Sequence, residues 1–276
     1  MGLVGLVITH TALAAPVQLP CPRAAHPVQY MIEHAREPAL GPGSGRLVIR
    51  RVADLELDGT ALLRWRIGPR ELVEGPEGAA EALRLDQQDT RPLQIVWRID
   101  PSYAITGIDN LDEVRAAMDG LLPAPVLADP AALAALLARD VGPLLSLACA
   151  GIDPDGPTRR TVSVPSPVGL TPLPAQLSLS LTGQDASTMR VEQILTLDPD
   201  AARRVLGEVT RSLGLEGGLP PLDITETGAW TLDRTTGWPT RIAIVRAVSA
   251  IGEQRTDRTT YTRVIATSPS GATSPP

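Results

Sequence analysis

The side chains that could do chemistry in this chain are few and lie far apart in the sequence. His10 falls in the apolar N-terminal segment, and neither His26 nor His34 has another His or Cys at a metal-ligand spacing. The chain has no lysine, which excludes lysine-dependent mechanisms, and no Gly-x-Ser-x-Gly motif that would mark a nucleophilic serine. We therefore interpret both remaining histidines as structural or solvent-exposed, and we expect no metal site and no cofactor.

Paired carboxylates remain a catalytic possibility, because the two acids of a glycoside hydrolase are brought together by the fold and not by sequence spacing. Glu192, Glu226 and Asp233 are the candidates, and all three are more simply solvent-facing strand or turn residues. The stretch 153–156 resembles part of a calcium-binding loop, but it lacks the third ligand and the distal glutamate and is typical of a tight turn. These patterns predict a protein that is not an enzyme.

The charge balance argues against one class of partner. The chain carries 25 basic and 31 acidic residues, so its net charge is -6. A negative protein repels polyanions, and we expect no nucleic-acid binding. All of the basic residues are arginine, and Phe is missing as well. We interpret this bias as the signature of a GC-rich genome and not as a phosphate-binding surface.

The N-terminal residues predict export. Residues 1–15 begin with the apolar run Met1–Ile8 and end in small residues, Ala12–Ala15, which is the layout of a cleavable signal peptide. The apolar run is shorter than the about 20 residues that a membrane span needs, and we expect no transmembrane segment elsewhere. The protein would then be periplasmic or secreted, with residues 16–27 as an extended leader. The alternative is a buried N-terminal strand or helix in a cytosolic protein.

Cys21 and Cys149 are the two cysteines of the chain. An even pair of cysteines in an oxidising compartment indicates a disulfide. Such a bond would tie the leader to the end of a helical segment. The alternative is two free thiols.

The elements that must position these residues alternate between strand and helix patterns. Period-2 alternation predicts strands near 28–36, 46–57, 61–67, 93–99, 103–108, 177–181, 189–197, 222–233, 239–251 and 254–266. Capping signals predict helices near 111–121, 131–137 with a continuation at 143–149, and 199–213. The order predicts one α+β domain over 28–266, built as a large curved antiparallel β-sheet, half-barrel-like, with a few helices packed on its concave face. Residues 267–276 are typical of a disordered tail.

The clearest strand pair surrounds the turn at 58–59. A three-residue loop, Leu57–Gly59, pairs Ala53 with Leu63 and gives one apolar face and one arginine-rich face. This register also places Arg51 on the apolar face beside Trp65, where a guanidinium can lie over the indole.

The C-terminal part of the chain carries a resemblance. The pattern at Trp230–Pro239, followed by an apolar strand, Gly252 and Tyr261–Arg263, is similar to uncharacterised secreted bacterial proteins. The order of strands and helices loosely resembles the periplasmic lipoprotein-carrier group, half-barrels that shelter acyl chains under helices. The resemblance implies a groove between sheet and helices, but no binding motif of that group matches. The alternative for Asp233–Pro239 is a hairpin turn with a packed tryptophan.

Together these patterns predict a non-catalytic periplasmic or secreted binding protein that carries a lipid or other apolar ligand in a groove between sheet and helices. The candidate ligand-binding residues are Trp65, Leu63, Ile95, Trp97, Ile244 and Trp238. The alternative is a structural or protein-interaction module of the envelope, with a filled core and no ligand. Such a module would bind an envelope protein through a sheet edge or an arginine-bearing face.

Overall fold

The structure is a computed structural model, and it describes residues 15–23, 27–37, 45–59, 61–88, 93–122, 124–164, 173–212, 223–250 and 253–264. Residues 1–14 of the expected signal peptide, His26 and the expected tail at 267–276 lie outside the described residues.

An antiparallel sheet of eleven strands forms the body of the described chain, and two further strands form a separate pair. The thirteen described strands are β1 (Val17–Gln18), β2 (Val28–Glu37), β3 (Leu47–Asp58), β4 (Leu62–Glu74), β5 (Leu93–Ile99), β6 (Ile105–Ile108), β7 (Gly151–Ile152), β8 (Thr158–Val164), β9 (Leu173–Gln184), β10 (Thr188–Leu197), β11 (Asp223–Asp233), β12 (Pro239–Ala250) and β13 (Glu253–Val264). The order across the large sheet is β6-β5-β4-β3-β2-β13-β12-β11-β10-β9-β8, and β1 and β7 form a separate pair. The sheet is curved and does not close, since β6 and β8 are its two edges.

Strict alternation in the sequence gives the sheet one apolar face. On β10, Met189, Val191 and Leu195 are buried while Arg190 and Glu192 are exposed. Side chains on a strand point alternately to opposite faces. The buried set therefore lines the concave face, and the same alternation recurs on β9 and β11.

The first and last long strands of the domain pair with each other. Ile32 of β2 lies opposite Tyr261 of β13, and both side chains are buried. This pairing joins the N-terminal strands β2–β6 to the C-terminal strands β8–β13 in one continuous sheet.

Six helices accompany the strands in the described part of the chain. They are α1 (Ala79–Gln88), α2 (Leu111–Met118), α3 (Ala124–Ala128), α4 (Pro130–Leu137), α5 (Gly142–Leu145) and α6 (Pro199–Ser212). The expected Asp-Pro helix starts are present. The Asp129 carboxylate accepts the N–H of Ala131 at 2.9 Å and starts α4, and Asp198 accepts the N–H of Ala201 at 2.9 Å and starts α6. Helices α1 and α3 were not predicted from the sequence.

Helices α2, α4 and α5 pack against the concave face. Val114 of α2, Leu133 of α4 and Leu144 of α5 belong to the same buried cluster as the strand residues. The indole N–H of Trp230 on β11 donates to the carbonyl of Pro143 at 3.1 Å, which fixes α5 over the sheet. The predicted α+β class, with a large curved antiparallel sheet and a few helices on its concave side, is confirmed.

The N-terminal leader is tied down by a covalent bond and by hydrogen bonds. Cys21 and Cys149 form a disulfide, as predicted. The Tyr103 hydroxyl donates to the carbonyl of Pro22 at 2.7 Å, and the indole N–H of Trp238 donates to the carbonyl of Arg23 at 3.2 Å. The leader therefore lies extended between the β5–β6 turn and the β11–β12 turn.

The register predicted for β3 and β4 was wrong. Ala53 pairs with Ile67 instead of Leu63, and the hairpin loop is 59–61. The strands extend further than expected because Leu57 pairs with Leu63 and both side chains are buried. The shift is an even number of residues, so the predicted division into an apolar and an arginine-rich face is unchanged.

Candidate functional site

The predicted ligand-binding residues divide into two groups. Leu63, Trp65, Ile95 and Trp97 are fully buried, and Trp238 is 2% exposed beneath the leader. Ile244 of β12 is partly buried and packs at the margin of the core. Five of the six residues thus form the interior of the protein, and Ile244 is the one that keeps a solvent-facing part. Their contact with a ligand stays a prediction.

A charged cluster interrupts the apolar concave face. Arg51 of β3 is only 9% exposed, and its guanidinium forms an ion pair with the carboxylate of Asp140 in the turn between α4 and α5. His34 of β2 lies beside them, with its Nδ1 3.1 Å from the Thr259 hydroxyl and its Nε2 3.9 Å from an Asp140 oxygen. We call the following residues the basic cluster: His34, Arg51, Arg70, Arg139 and Asp140.

A β-bulge brings the second arginine into the cluster. Ala53 pairs with Ile67 and Arg51 pairs with Arg70. Between these two pairs β4 therefore has one residue more than β3. The extra residue lies at Gly68 or Pro69, and a Cβ at Gly68 would lie 2.8 Å from the carbonyl oxygen of Val52. Bulges re-aim side chains and recur next to functional sites. Here the bulge sets Arg70 directly opposite Arg51 across the two strands.

The ionisation of the cluster reflects burial and the proximity of its arginines. Burial, together with the positive charges of Arg51, Arg70 and Arg139, lowers the pKa of His34 from 6.5 to about 4. The imidazole is therefore neutral at pH 7. Burial, and to a smaller extent Arg70, lowers the pKa of the Arg51 guanidinium to about 10, so that this group remains charged at neutral pH.

Two partly buried apolar residues of β12 lie on the same face as the basic cluster. His34 pairs with Thr259 of β13, and Thr259 pairs with Ile244 of β12. Ile244 and Val248 lie on the same face, with the ion-paired Arg246 between them, and both are only partly buried against the core. We call Ile244 and Val248 the β12 strip. The β12 strip therefore lies on the same concave face as the basic cluster, two strand spacings from His34.

Among the candidate carboxylates, Glu226 is not solvent-facing, so that prediction was wrong for this residue. Glu226 is 8% exposed on the concave face, where it accepts from Arg246 at 2.9 Å and from Gln193 at 3.1 Å. Glu192 points to the opposite face, and Asp233 lies seven residues along β11 and pairs with Arg263 at 2.9 Å. Seven strand residues span about 23 Å, so these three acids do not form the closely spaced pair of a glycoside hydrolase.

A groove of about 510 Å³ runs between the β5–β6 turn, α5 and the turn that follows it. The groove is lined by Ser102, Tyr103, Ala104, Ile105, Gly142, Leu145, Ser146, Ala148, Cys149, Ala150 and Arg160.

Three buried N–H donors on the concave side have no acceptor in the part of the chain that the structure describes. They are the indole nitrogens of Trp65 and Trp97 and the Nε of Arg51. Leaving a buried donor unpaired costs about 1–3 kcal/mol. The indole nitrogens of Trp230 and Trp238, by contrast, each donate to a backbone carbonyl.

The sequence indicated only part of this site. Arg51 was placed correctly on the apolar face. Its predicted position beside Trp65 was wrong, because Trp65 pairs with Leu55 and Arg51 pairs with Arg70. The contribution of Arg70, Arg139 and Asp140 was not foreseen. The one local signal was Gly68-Pro69 inside a strand pattern, which is typical of a bulge. The approach of Asp140 depends on how α4 and α5 dock on the sheet, which strand periodicity does not encode.

Within the described ranges, no group of three or more His, Cys, Asp or Glu side chains is arranged to hold a metal ion. No described helix is long and apolar enough to cross a membrane.

Neither a family model nor a curated protein matches the sequence. Among solved structures the chain is similar to lipovitellin, in a structure that describes lipid–protein interactions of that protein, with a TM-score of 0.48 and 11% sequence identity. The match covers 90% of this chain and 26% of the lipovitellin chain, so this chain spans about a quarter of the length of that relative.

Proposed function

We propose that this protein is an exported, non-catalytic carrier that holds a lipid or another apolar ligand between its concave sheet face and the helices. The observation that carries the proposal is the β12 strip. Ile244 and Val248 lie on the inner face of an unclosed sheet and keep solvent-facing parts beside a packed core. An apolar surface of this kind gains free energy when a ligand removes it from water.

One further feature supports the proposal. The disulfide between Cys21 and Cys149 is the kind of bond that persists in oxidising compartments outside the cytoplasm.

A second candidate function is an envelope structural or protein-interaction module. The observation that favours it is the complete burial of Leu63, Trp65, Ile95 and Trp97, which fill the interior where a ligand was expected. A protein whose interior is already filled by side chains has no space for an apolar ligand. The module should therefore not take up an apolar dye, whereas the carrier should.

Uptake of N-phenyl-1-naphthylamine by the native protein, and its displacement by oleate, tests the carrier. We expect saturable uptake at one site per chain, and weaker uptake after Ile244→Asn. The matched control is Val245→Asn, because Val245 is the next residue of β12 and points to the opposite face. Failure of the native protein to take up the dye, or equal losses in the two variants, would leave the filled module as the better account.

A further inference from the structure

We propose that the free edge of β8 binds an extended acidic segment of a partner protein, which adds to the large sheet as a further antiparallel strand. In strand addition of this kind, backbone hydrogen bonds give the affinity and alternate side chains give the specificity. The inference does not depend on whether the protein carries a lipid.

The two edges of the large sheet differ in how they are protected. At one edge, β6 has four residues, and α4 packs against it. At the other edge, β8 has seven residues, and β9 is the described strand that pairs with it. Short strands and covering helices are common means of protecting a sheet edge. Within the described ranges no helix packs along β8, so its outer backbone groups are open to a partner.

The side chains of β8 are accessible and suit an extended partner. None of the seven is buried, and the strand contains no Pro or Gly that would interrupt pairing. Arg160 and Val162 pair with the buried Leu177 and Ala175 of β9 and therefore lie on the concave side. Arg159 lies on the convex side with the other alternate residues.

Two arginines make the free edge of β8 cationic. Arg159 and Arg160 are both exposed, and no carboxylate among the described residues forms an ion pair with either. The acids of the preceding turn have another role, since the carboxylate of Asp153 accepts the backbone N–H of Asp155 at 2.9 Å. Opposite charges on neighbouring strands stabilise their pairing, and like charges destabilise it. The edge therefore favours an acidic strand over a second copy of β8.

The groove beside α5 gives the added strand space on the concave side. Arg160 lines this groove from β8 and Ile105 lines it from β6, so both edge strands of the sheet contribute to it. Leu145 and Ala148 add apolar lining. A strand paired with β8 would direct every second side chain to this side of the sheet. We therefore expect a partner segment with an acid opposite Arg160 and apolar residues at alternate positions.

Binding of designed peptides to the full chain tests the inference. The probe is acetyl-Val-Thr-Val-Thr-Glu-Glu-Thr-amide. In antiparallel pairing with Thr158–Val164 it places its valines on the concave side and its glutamates opposite Arg160 and Arg159. The matched control has glutamine in place of both glutamates. We expect the acidic peptide to bind about two- to thirtyfold more tightly at low salt, as two exposed ion pairs provide, and this preference should decrease as salt is added.

N-methylation of the acidic peptide distinguishes strand addition from a contact between charges alone. Alternate residues of an extended strand direct their backbone N–H groups to opposite edges. N-methyl groups on one alternate set of residues therefore block the hydrogen bonds to β8, and N-methyl groups on the other set do not. We expect one of these two methylated peptides to lose binding and the other to keep it. Equal effects of the two patterns would overturn the inference.

Exposed arginines provide protein variants that do not disturb the core. Arg159→Met and Arg160→Met should each weaken binding of the acidic peptide about two- to fivefold and leave binding of the glutamine peptide unchanged. Arg160→Lys should restore part of the loss. Arg190→Met is the matched control, because Arg190 is exposed on β10, which is paired on both sides. This control should change neither affinity.

Amide hydrogen exchange shows whether the edge of β8 is free in the full chain. We expect alternate amides of Thr158–Val164 to exchange fast in the protein alone and to exchange slowly when the acidic peptide is added. Slow exchange of all of them in the protein alone would overturn the inference, because the edge would already be paired. Dependence of this protection on protein concentration would then identify a second copy of the chain as the partner, and independence a segment of the same chain. Absence of binding by the acidic peptide, or equal binding of the two peptides, would also overturn the inference and leave the carrier intact.

Discussion

Arg51 of β3 and Asp140 of the α4–α5 turn form an ion pair across the contact between the sheet and its helices. Arg51 is nearly buried, whereas Asp140 keeps about a quarter of its side chain exposed. A buried charge is costly unless a partner compensates it. The pair therefore fixes the α4–α5 turn over the concave face.

Asp140→Asn should lower the free energy of unfolding by about 3 kcal/mol, because it leaves the charged Arg51 guanidinium buried without its partner. Arg51→Met/Asp140→Asn should recover part of that loss, since no unpaired buried charge remains. Urea denaturation of the wild type, both single variants and the double variant gives the coupling energy. Strictly additive effects would show that the two side chains do not interact in solution.

The stability of the protein should depend on His34 between pH 6.5 and pH 4. Its pKa is about 4 in the folded protein and 6.5 ordinarily, so the unfolded chain binds a proton in this window while the folded chain does not. Stability therefore falls as the pH decreases through the window. Melting temperatures at pH 7 and pH 5 for the wild type and His34→Gln check this, because the variant should lose part of the decrease. Equal decreases would contradict the shifted histidine.

The disulfide should account for a large share of the stability. Cys21 and Cys149 are separated by 128 residues, and the chain-entropy model gives a loop of this length about 5 kcal/mol as an upper value. Cys21→Ala/Cys149→Ala should lower the urea midpoint, and trypsin should cut faster after the exposed Arg23. Reductant should affect the wild type and leave the double variant unchanged. A urea midpoint of the wild type that is the same with and without reductant would contradict this account.

Gly237 should tolerate no side chain. Its φ is 74°, and a Cβ there would overlap the carbonyl of Cys21. Gly237→Ala should therefore cost about 1–2 kcal/mol of left-handed strain and more for displacing the leader. Gly59→Ala is the matched control, since Gly59 has a φ of 65° with nothing within 4 Å of the added carbon. Comparable losses in thermal denaturation would show that the leader does not press against Gly237.

Removing an unpaired indole donor should cost less than removing a paired one. Trp65→Phe and Trp238→Phe delete the same atoms from buried sites, but only the second leaves a carbonyl, that of Arg23, without its donor. The difference should be about 1–3 kcal/mol in the ligand-free protein. Urea denaturation of the two variants measures it. A larger loss for Trp65→Phe would mean that its N–H has a partner in the protein.

Local patterns in the sequence were sufficient for most of the individual elements. Period-2 alternation located the strands β2–β6 and β9–β13 but missed β7 and β8. The Asp-Pro dipeptides at 129–130 and 198–199 located the starts of α4 and α6, because capping signals act within a few residues. The prediction of an apolar and a polar face for the β3–β4 hairpin was also correct, because a register shift by an even number of residues leaves every side chain on the same face. Its register was wrong, because two registers of equal parity bury similar residues.

Long-range contacts could not be predicted in this way. The pairing of Ile32 with Tyr261 joins strands from the two ends of the domain, and no local signal specifies it. The same limit applies to the site. Asp140 meets Arg51 only through helix docking, and Glu226 is buried because β11 is a central strand. A charged residue in an alternating strand is predicted to face solvent. Only the three-dimensional structure shows whether other elements cover that face of the sheet.

Native mass spectrometry of the full chain, purified from the envelope of its own cell without detergent, tests the central claim most directly. The carrier account predicts a one-to-one adduct with the mass of a lipid or fatty acid, lost on delipidation and regained on adding the extracted lipid. A single apo mass before and after incubation with that lipid extract would contradict it.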